Sequence, residues 1–217
     1  RSTTRARAGK QSTASSTPSA NPRIKKPPPL LTGACGLTTT DRLGFGLLAA
    51  AEGDLVGAQV VVDNTFATPV NFRPLEHGFD LVVHSATKYL NGHSDLVAGG
   101  VAGRQAWIDP VRRKLNHLGA TLDPHGCFLL HRGLKTLAVR VRHHNAAAQK
   151  LAEALAQHPK VEQVRYPGLS SHPDYARARE LMTGFGGMLA FEVQGGESVA
   201  DEVVRTLELA VDAPSLG

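Results

Sequence analysis

Residues 80–95 read "DLVVHSATKYLNGHSD". The apolar run Leu81-Val82-Val83 stops at His84, and Ser85, Thr87 and Lys88 follow within four positions. A short apolar run of this kind predicts a buried strand over 80–84. Hydroxyls and an amine directly beyond it point to chemistry, because ligands of open α/β sheets bind outside the carboxyl ends of strands. The plainer alternative is a solvated surface lysine.

Upstream, "AQVVVDN" (58–64) predicts a second buried strand ending in Asp63-Asn64. The loop "TFATPVNFRPLEHG" (65–78) joins the two. A third strand is expected at 97–103, "VAGGVAG", with glycines where something packs closely on the backbone. Continuous apolar strands separated by connections suggest a mostly parallel sheet covered on both faces. Residues 104–118 read as helix.

The longest helical signal lies in "DPHGCFLLHRGLKTLAVRVRHHNAAAQKLAEALAQHP" (123–159). Leu134, Leu137, Val141, His144, Ala148, Leu151 and Leu155 recur at alternating spacings of 3 and 4, one apolar stripe. His144 within it reads as a packed, hydrogen-bonded histidine. Pro159 ends the helix. Strand, helix, strand and helix then follow in "VEQVRYPG", "YARARELM", "GMLAFEVQG" and "SVADEVVRTLEL".

The expected organisation has four parts. Residues 1–42 form a disordered or aberrant basic segment, and 43–133 part of a large cofactor-binding domain. Residues 134–158 form a long connecting helix, and 159–217 part of a smaller α/β C-terminal domain. "LGFGLLAAAEGDL" (43–55) is expected to be a short helix.

Charge supports this division. The whole chain of 217 residues carries +5, but residues 1–40 hold seven Lys/Arg and no acid. That leaves 17 Lys/Arg against 19 Asp/Glu for the rest, so the folded body is slightly acidic. No aromatic-basic interleaving or nucleic-acid motif is present, which argues against DNA or RNA as partner. No apolar run reaches the ~20 residues of a membrane-spanning helix. Two cysteines, Cys35 and Cys127, make no disulfide framework, so a reducing compartment is expected. Cytoplasm is the first expectation. An Arg- and Ser-rich, acid-free start also fits an organelle transit segment.

The two strand ends bring together a carboxylate, hydroxyls and an amine. A lysine can form an imine with an aldehyde. Hydroxyls can donate to phosphate, and a carboxylate can keep a pyridine nitrogen protonated. These are the requirements of pyridoxal 5′-phosphate. Against that stands a turn-capping role for Asp63.

The stretch "VVVDNTFATPVNFRPLEHGFDLVVHSATKYLNGHSDLVAGGV" closely resembles the Cys/Met-metabolism family of pyridoxal-phosphate enzymes. That family includes cystathionine γ-synthase, cystathionine γ-lyase and methionine γ-lyase. The resemblance continues through "GLKTLAVRV", "HPKVEQVRYPGLSSHPDY" and "MTGFGGMLAFEV" to "APSLG", covering roughly residues 44–217. It implies a fold-type-I α/β architecture, here incomplete, with a mostly parallel sheet flanked by helices and a smaller C-terminal α/β domain.

The resemblance also implies roles. Lys88 would be catalytic, carrying the cofactor as an imine and acting as general base once the substrate amine displaces it. Asp63, 25 residues before it, would pair with the ring nitrogen. Ser85 and Thr87 would hold the phosphate, and Ser215 would lie near the substrate carboxylate. The implied reaction is γ-replacement or γ-elimination on sulfur amino acids or homoserine esters. Cystathionine γ-synthase is the first choice, because "APS" places Pro214 before Ser215. Cystathionine or methionine γ-lyase follows. The alternative is a catalytically incompetent piece that keeps the scaffold and subunit contacts. The implied partners are a small amino-acid substrate and further copies of the chain, as dimer or tetramer.

Other residues read more plainly. His93 and Asp95 are expected to order the motif's loop ahead of binding metal. Cys127 reads as a helix core residue, and Tyr166 with "PGLSSHP" as a structural turn. Gly184, Gly186 and Gly187 read as permissive backbone entering a strand. The family's N-terminal glycine loop, ring-stacking tyrosine and Tyr/Arg phosphate pair have no counterpart here, nor does its carboxylate-clamping arginine. Asn21 in "TPSANPRIKK" resembles a ring-facing asparagine but stands 42 residues before Asp63, too far to carry the role over.

Overall fold

Two apolar runs separated by a short connection can pair only if that connection folds back along them. In the computed structural model, which describes residues 59–213, 215 and 216, they do so. The basic segment 1–42, with Asn21 and Cys35, and the helix expected at 43–55 lie outside the described residues.

Strand β1 (Val61–Asp63) pairs in parallel with β2 (Leu81–Ser85), and Asp63 stands beside Val83. Between them come a short helix α1 (Thr68–Asn71) and a 3₁₀ turn (Pro74–His77) closed by left-handed Gly78. Strand β3 (Gly99–Gly103) joins the other edge of β2 antiparallel, so the described sheet has one parallel and one antiparallel ladder. Gly103 is needed for contact: a Cβ there would press into the Leu81 side chain and the Asp80 carbonyl.

Alternate strand residues face opposite ways. Val62 and Val82 lie on one face, where Phe72 and Phe79 form a core with Val60, Val62, Leu181 and Met182. The register puts Val61, Asp63, Val83 and Val101 together on the other face. There Val61 is 54% exposed and Val101 44% exposed. The expected cover on both faces is therefore present on one face only among the described residues.

Helices α2 (Gln105–Leu118), α3 (Pro124–Leu134) and α4 (Leu137–Ala156) follow. The single long signal thus divides. Asp123 caps α3 by accepting the His125 and Gly126 amides, and α3 ends at Leu134 before α4 starts. The buried stripe of α4 is Leu137, Val141, Ala148 and Ala152. Leu134 and Leu151 are exposed, contrary to the expected stripe. Leu134 belongs to α3, so the stripe breaks before α4 begins; at 100° per residue Leu151 falls about 40° to one side of Leu137, whereas Val141, Ala148 and Ala152 fall on the other. His144 packs at this face against the Tyr89 ring, centroids 5.4 Å apart, and against Gly187. The expected hydrogen bond is not found among the described residues.

Cys127 is exposed, which corrects its reading as core. Helix α3 packs through Gly126 and Gly133, two turns apart on one face, and these are its only buried residues. One position further round, Cys127 faces away.

The remaining elements are β4 (Val161–Arg165), α5 (Tyr175–Leu181), β5 (Ala190–Val193) and α6 (Gly196–Thr206). Strands β4 and β5 pair antiparallel, and the core beneath them is Ala148, Ala152, Val164 and Tyr166. Tyr166 is fully buried and donates to the Gly186 carbonyl at 3.0 Å, which supports its structural reading. Gly186 has φ of +82°, the freedom expected of it. No helix among the described residues is long and apolar enough to cross a membrane.

Candidate active site

The site forms where β1 and β2 end side by side. Strand β2 passes into a π-type turn over Ala86–Leu90, interrupted at Lys88, whose ψ is −124°. The turn closes by Asn91 N–H donating to Ala86 O at 3.1 Å and Gly92 N–H to Lys88 O at 2.8 Å. Parallel pairing, with Asp63 opposite Val83, carries the carboxylate and the Ser85–Lys88 segment to the same edge.

A residue missed in the sequence joins them. Thr65 donates its hydroxyl and its amide to Asp63 Oδ1, at 2.5 and 2.9 Å. Its oxygen accepts the Ser85 amide proton at 2.7 Å. Thr65 is 4% exposed. One carboxylate oxygen of Asp63 is thereby held, and Oδ2 is left without a hydrogen bond among the described residues. The signal was "DNT", an Asp-x-Thr turn in which the hydroxyl and amide two residues on reach the carboxylate.

Thr87 is more committed than expected. Its Oγ1 accepts the Ala98 amide at 2.9 Å and lies 3.4 Å from the Ala98 carbonyl. The hydroxyl proton can still turn outward. The Ser85 hydroxyl and the Lys88 amine have no hydrogen-bond partner among the described residues. Ser215 borders a cavity of about 350 Å³ whose lining includes Thr87, Asp95 and Val97, so the structure brings it beside the motif.

His84 lies on the packed face of the sheet, where its Nδ1 is buried without a partner. Burial pushes its pKa below the usual imidazole value, partly opposed by the Asp63 carboxylate. The ring is therefore neutral at neutral pH. His93 and Asp95 do order the loop. His93 Nδ1 bonds the Asn91 carbonyl at 2.7 Å, and Asp95 accepts from Asn91 Nδ2 at 2.8 Å and pairs with Arg132 at 3.0 Å. The Asn91 amide, then Arg132, hold the Asp95 carboxyl below its usual range.

The donor set can be tested against a pyridoxal phosphate. It contains a free primary amine, one free hydroxyl, one hydroxyl with a proton to spare and a carboxylate with one oxygen open. These match an aldehyde, a phosphate and a ring nitrogen respectively. The residues present fit the group.

An α/β sheet with this edge, followed by a small α/β unit, is in part the architecture of fold-type-I pyridoxal-phosphate enzymes. The chain belongs to the Cys/Met metabolism PLP-dependent enzyme family, whose model matches residues 48–217. It is 53% identical to L-methionine gamma-lyase of Pseudomonas putida over 163 residues, 74% of this chain and 41% of that protein. It is 46% identical to the chloroplastic cystathionine gamma-synthase 1 of Arabidopsis thaliana over 161 residues, 74% of this chain and 29% of that protein. The crystal structure of cystathionine gamma synthase from Xanthomonas oryzae pv. oryzae, in complex with aminoacrylate and cysteine, superposes with a TM-score of 0.76 at 44% identity. That match covers 79% of this chain and 45% of the other. The chain therefore spans less than half the length of these relatives.

Proposed function

We propose that this chain contributes to pyridoxal-phosphate-dependent γ-replacement or γ-elimination on sulfur amino acids or homoserine esters. Cystathionine formation is the first choice, and cystathionine or methionine cleavage the second. The observation that carries the reading is the shared edge of β1 and β2, which joins Asp63, through Thr65, to the Ser85–Lys88 segment.

Bound pyridoxal phosphate supplies an electron sink for carbanion charge next to a substrate amine. The chain's own groups do the rest. Ser85 and Thr87 hydroxyls would hold the phosphate end. Asp63 would hold the ring nitrogen through its open oxygen, and Thr65 keeps that carboxylate from rotating. Lys88 would take the proton from the substrate Cα and return protons along the substrate. Ser215 lies near the substrate carboxylate. Residues 43–133 are proposed as part of the cofactor domain, 134–158 as the connection and 159–217 as part of the small domain. The working unit is proposed as a dimer or tetramer. Cytoplasm is the first destination, and the chloroplastic relative supports an organelle as the alternative.

A second reading is a piece that keeps the scaffold without turnover. The open sheet face favours it, because Asp63 is exposed there among the described residues. One experiment decides between them. The purified chain is mixed with pyridoxal phosphate, reduced with borohydride and digested, and the labelled peptide is weighed. The first reading expects label on Lys88, none in Lys88→Ala, and product from a homoserine ester with cysteine or α-keto acid from methionine. Label without product supports the second reading. Lack of label on Lys88 overturns the first.

A further inference from the structure

We propose that Arg140 is a positioning residue for Lys88, acting through the carbonyl of Tyr89. This rests on the reading of Lys88 as the cofactor lysine.

Arg140 lies on α4, far from the motif in sequence. Its guanidinium reaches three elements at once. Nη1 donates to Tyr89 O at 2.8 Å, Nη2 to Gly133 O at 2.9 Å and Nε to Thr136 Oγ1 at 3.0 Å. Tyr89 directly follows Lys88, and Gly133 lies in the last turn of α3. One cation thus serves the carboxyl ends of two helical segments, where unpaired carbonyls concentrate negative partial charge. None of the ion pairs among the described residues includes Arg140. Its fork instead ties the turn, at Tyr89, to the end of α3 and to Thr136.

The packing around it leaves little slack. A Cβ on Gly92 would collide with the Arg140 guanidinium, and Gly92 has φ of +66°. A Cβ on Gly133 would collide with the Asn91 carbonyl. The chain just after Tyr89, at Asn91 and Gly92, is therefore pressed between α3 and the guanidinium.

Lys88 needs such help. Its ψ departs from helical values, so the turn that carries it is not a self-supporting helix. Two backbone bonds close it. A lysine amine on a four-carbon stem is placed no better than the backbone beneath it, and proton transfer requires placement to a fraction of an ångström. Charge-assisted bonds to carbonyls are the stronger kind. Arg140 supplies one at the residue after Lys88 and anchors it to the long helix.

The test uses the full chain as wild type, Arg140→Met, Arg140→Lys and Lys88→Ala. Hydrogen exchange without cofactor reads the turn directly. Arg140→Met is expected to speed exchange at the Asn91 and Gly92 amides roughly tenfold. The β4–β5 amides should stay unchanged, which separates a local loosening from global unfolding. Arg140→Lys should recover part of the protection. With pyridoxal phosphate added, borohydride-fixed label on Lys88 should accumulate about tenfold more slowly in Arg140→Met. Unchanged exchange at Asn91 and Gly92, a uniform rise across the chain, or labelling at the wild-type rate would each overturn the proposal. If wild type takes no label on Lys88, the cofactor reading fails instead, and exchange alone still decides whether Arg140 holds the turn.

Discussion

Thr65 donates its hydroxyl to Asp63 Oδ1 across 2.5 Å. The same hydroxyl oxygen accepts the Ser85 amide proton, so the ends of two strands are tied through one side chain. Thr65→Val keeps the shape and removes both interactions. It is expected to weaken pyridoxal-phosphate binding about tenfold, a loss of one charge-assisted bond. Thr65→Ser should stay within about twofold of wild type. Equilibrium titration with cofactor measures both, and equal affinities for Val and wild type would remove Thr65 from the site.

Asn71 and Asn145 exchange two hydrogen bonds, at 2.9 and 2.8 Å, and Asn145 Oδ1 also accepts the Gly186 amide. Asn71 is 1% exposed. Asn145→Leu leaves the Asn71 amide and the Gly186 N–H without these partners. The expected cost is about 2–4 kcal/mol in denaturant unfolding, from more than one unpaired buried group. A cost near that of an exposed substitution would show that water replaces the pair.

Gly133→Ala adds a methyl where the Asn91 backbone already lies. Overpacking of this kind costs about 1–3 kcal/mol. Gly119→Ala is the comparison, because nothing stands within 4 Å of its Cβ position and only its φ of +75° resists substitution. Thermal melts should rank Gly133→Ala as the less stable. Because the collision is with the motif loop, it should also slow labelling of Lys88, whereas Gly119→Ala should not.

Tyr166 shapes the alkaline limb of stability. Burial pushes its phenol up to about 12. Between 10 and that value the unfolded chain loses the proton and the folded chain keeps it. Stability is therefore fully present below pH 10 and falls as pH rises through this window. Tyr166→Phe should flatten that fall while costing about 1–2 kcal/mol at neutral pH, since the Gly186 carbonyl loses its donor. Urea unfolding between pH 8 and 11 tests both parts.

His84 acts in the opposite direction. Burial depresses its pKa below 6.5, so on acidification the unfolded chain binds the proton first. The contribution is present above the unfolded pKa and is lost as pH falls below it. Unfolding measured from pH 7 to 5 should show a downward slope that shrinks in His84→Gln. An unchanged slope would assign the acid limb to other groups, such as His144, which burial also holds low.

Much of this molecule was legible in linear order. The runs at 60–63 and 81–84, the residues beyond them and the helices after Gln105 follow from local pattern. Local pattern has a physical basis: a strand alternates every two residues and a helix every 3.6, whatever packs on them. Beyond strand ends the residue types alone predicted an amine, hydroxyls and a carboxylate in one place.

The misses share a different cause. The split between α3 and α4, the exposure of Leu134, Leu151 and Cys127, and the antiparallel β3 depend on which face another element covers. Periodicity names a face but not its neighbour. Thr65 was within reach as the third residue of an Asp-x-Thr turn. Arg140 was not, since nothing in "GLKTLAVRV" says that its guanidinium ends on Tyr89, 51 positions earlier.

The sequence by itself determined which groups this chain can offer to chemistry, because identity and spacing of Asp63, Ser85, Thr87 and Lys88 are properties of the chain. Only the tertiary structure decided how those groups are held. The parallel register of β1 with β2, the Thr65 bridge and the Arg140 anchor all join residues distant in sequence. Such contacts form when burial and hydrogen bonding across elements outweigh the entropy of closing the chain between them, a balance that no single segment contains.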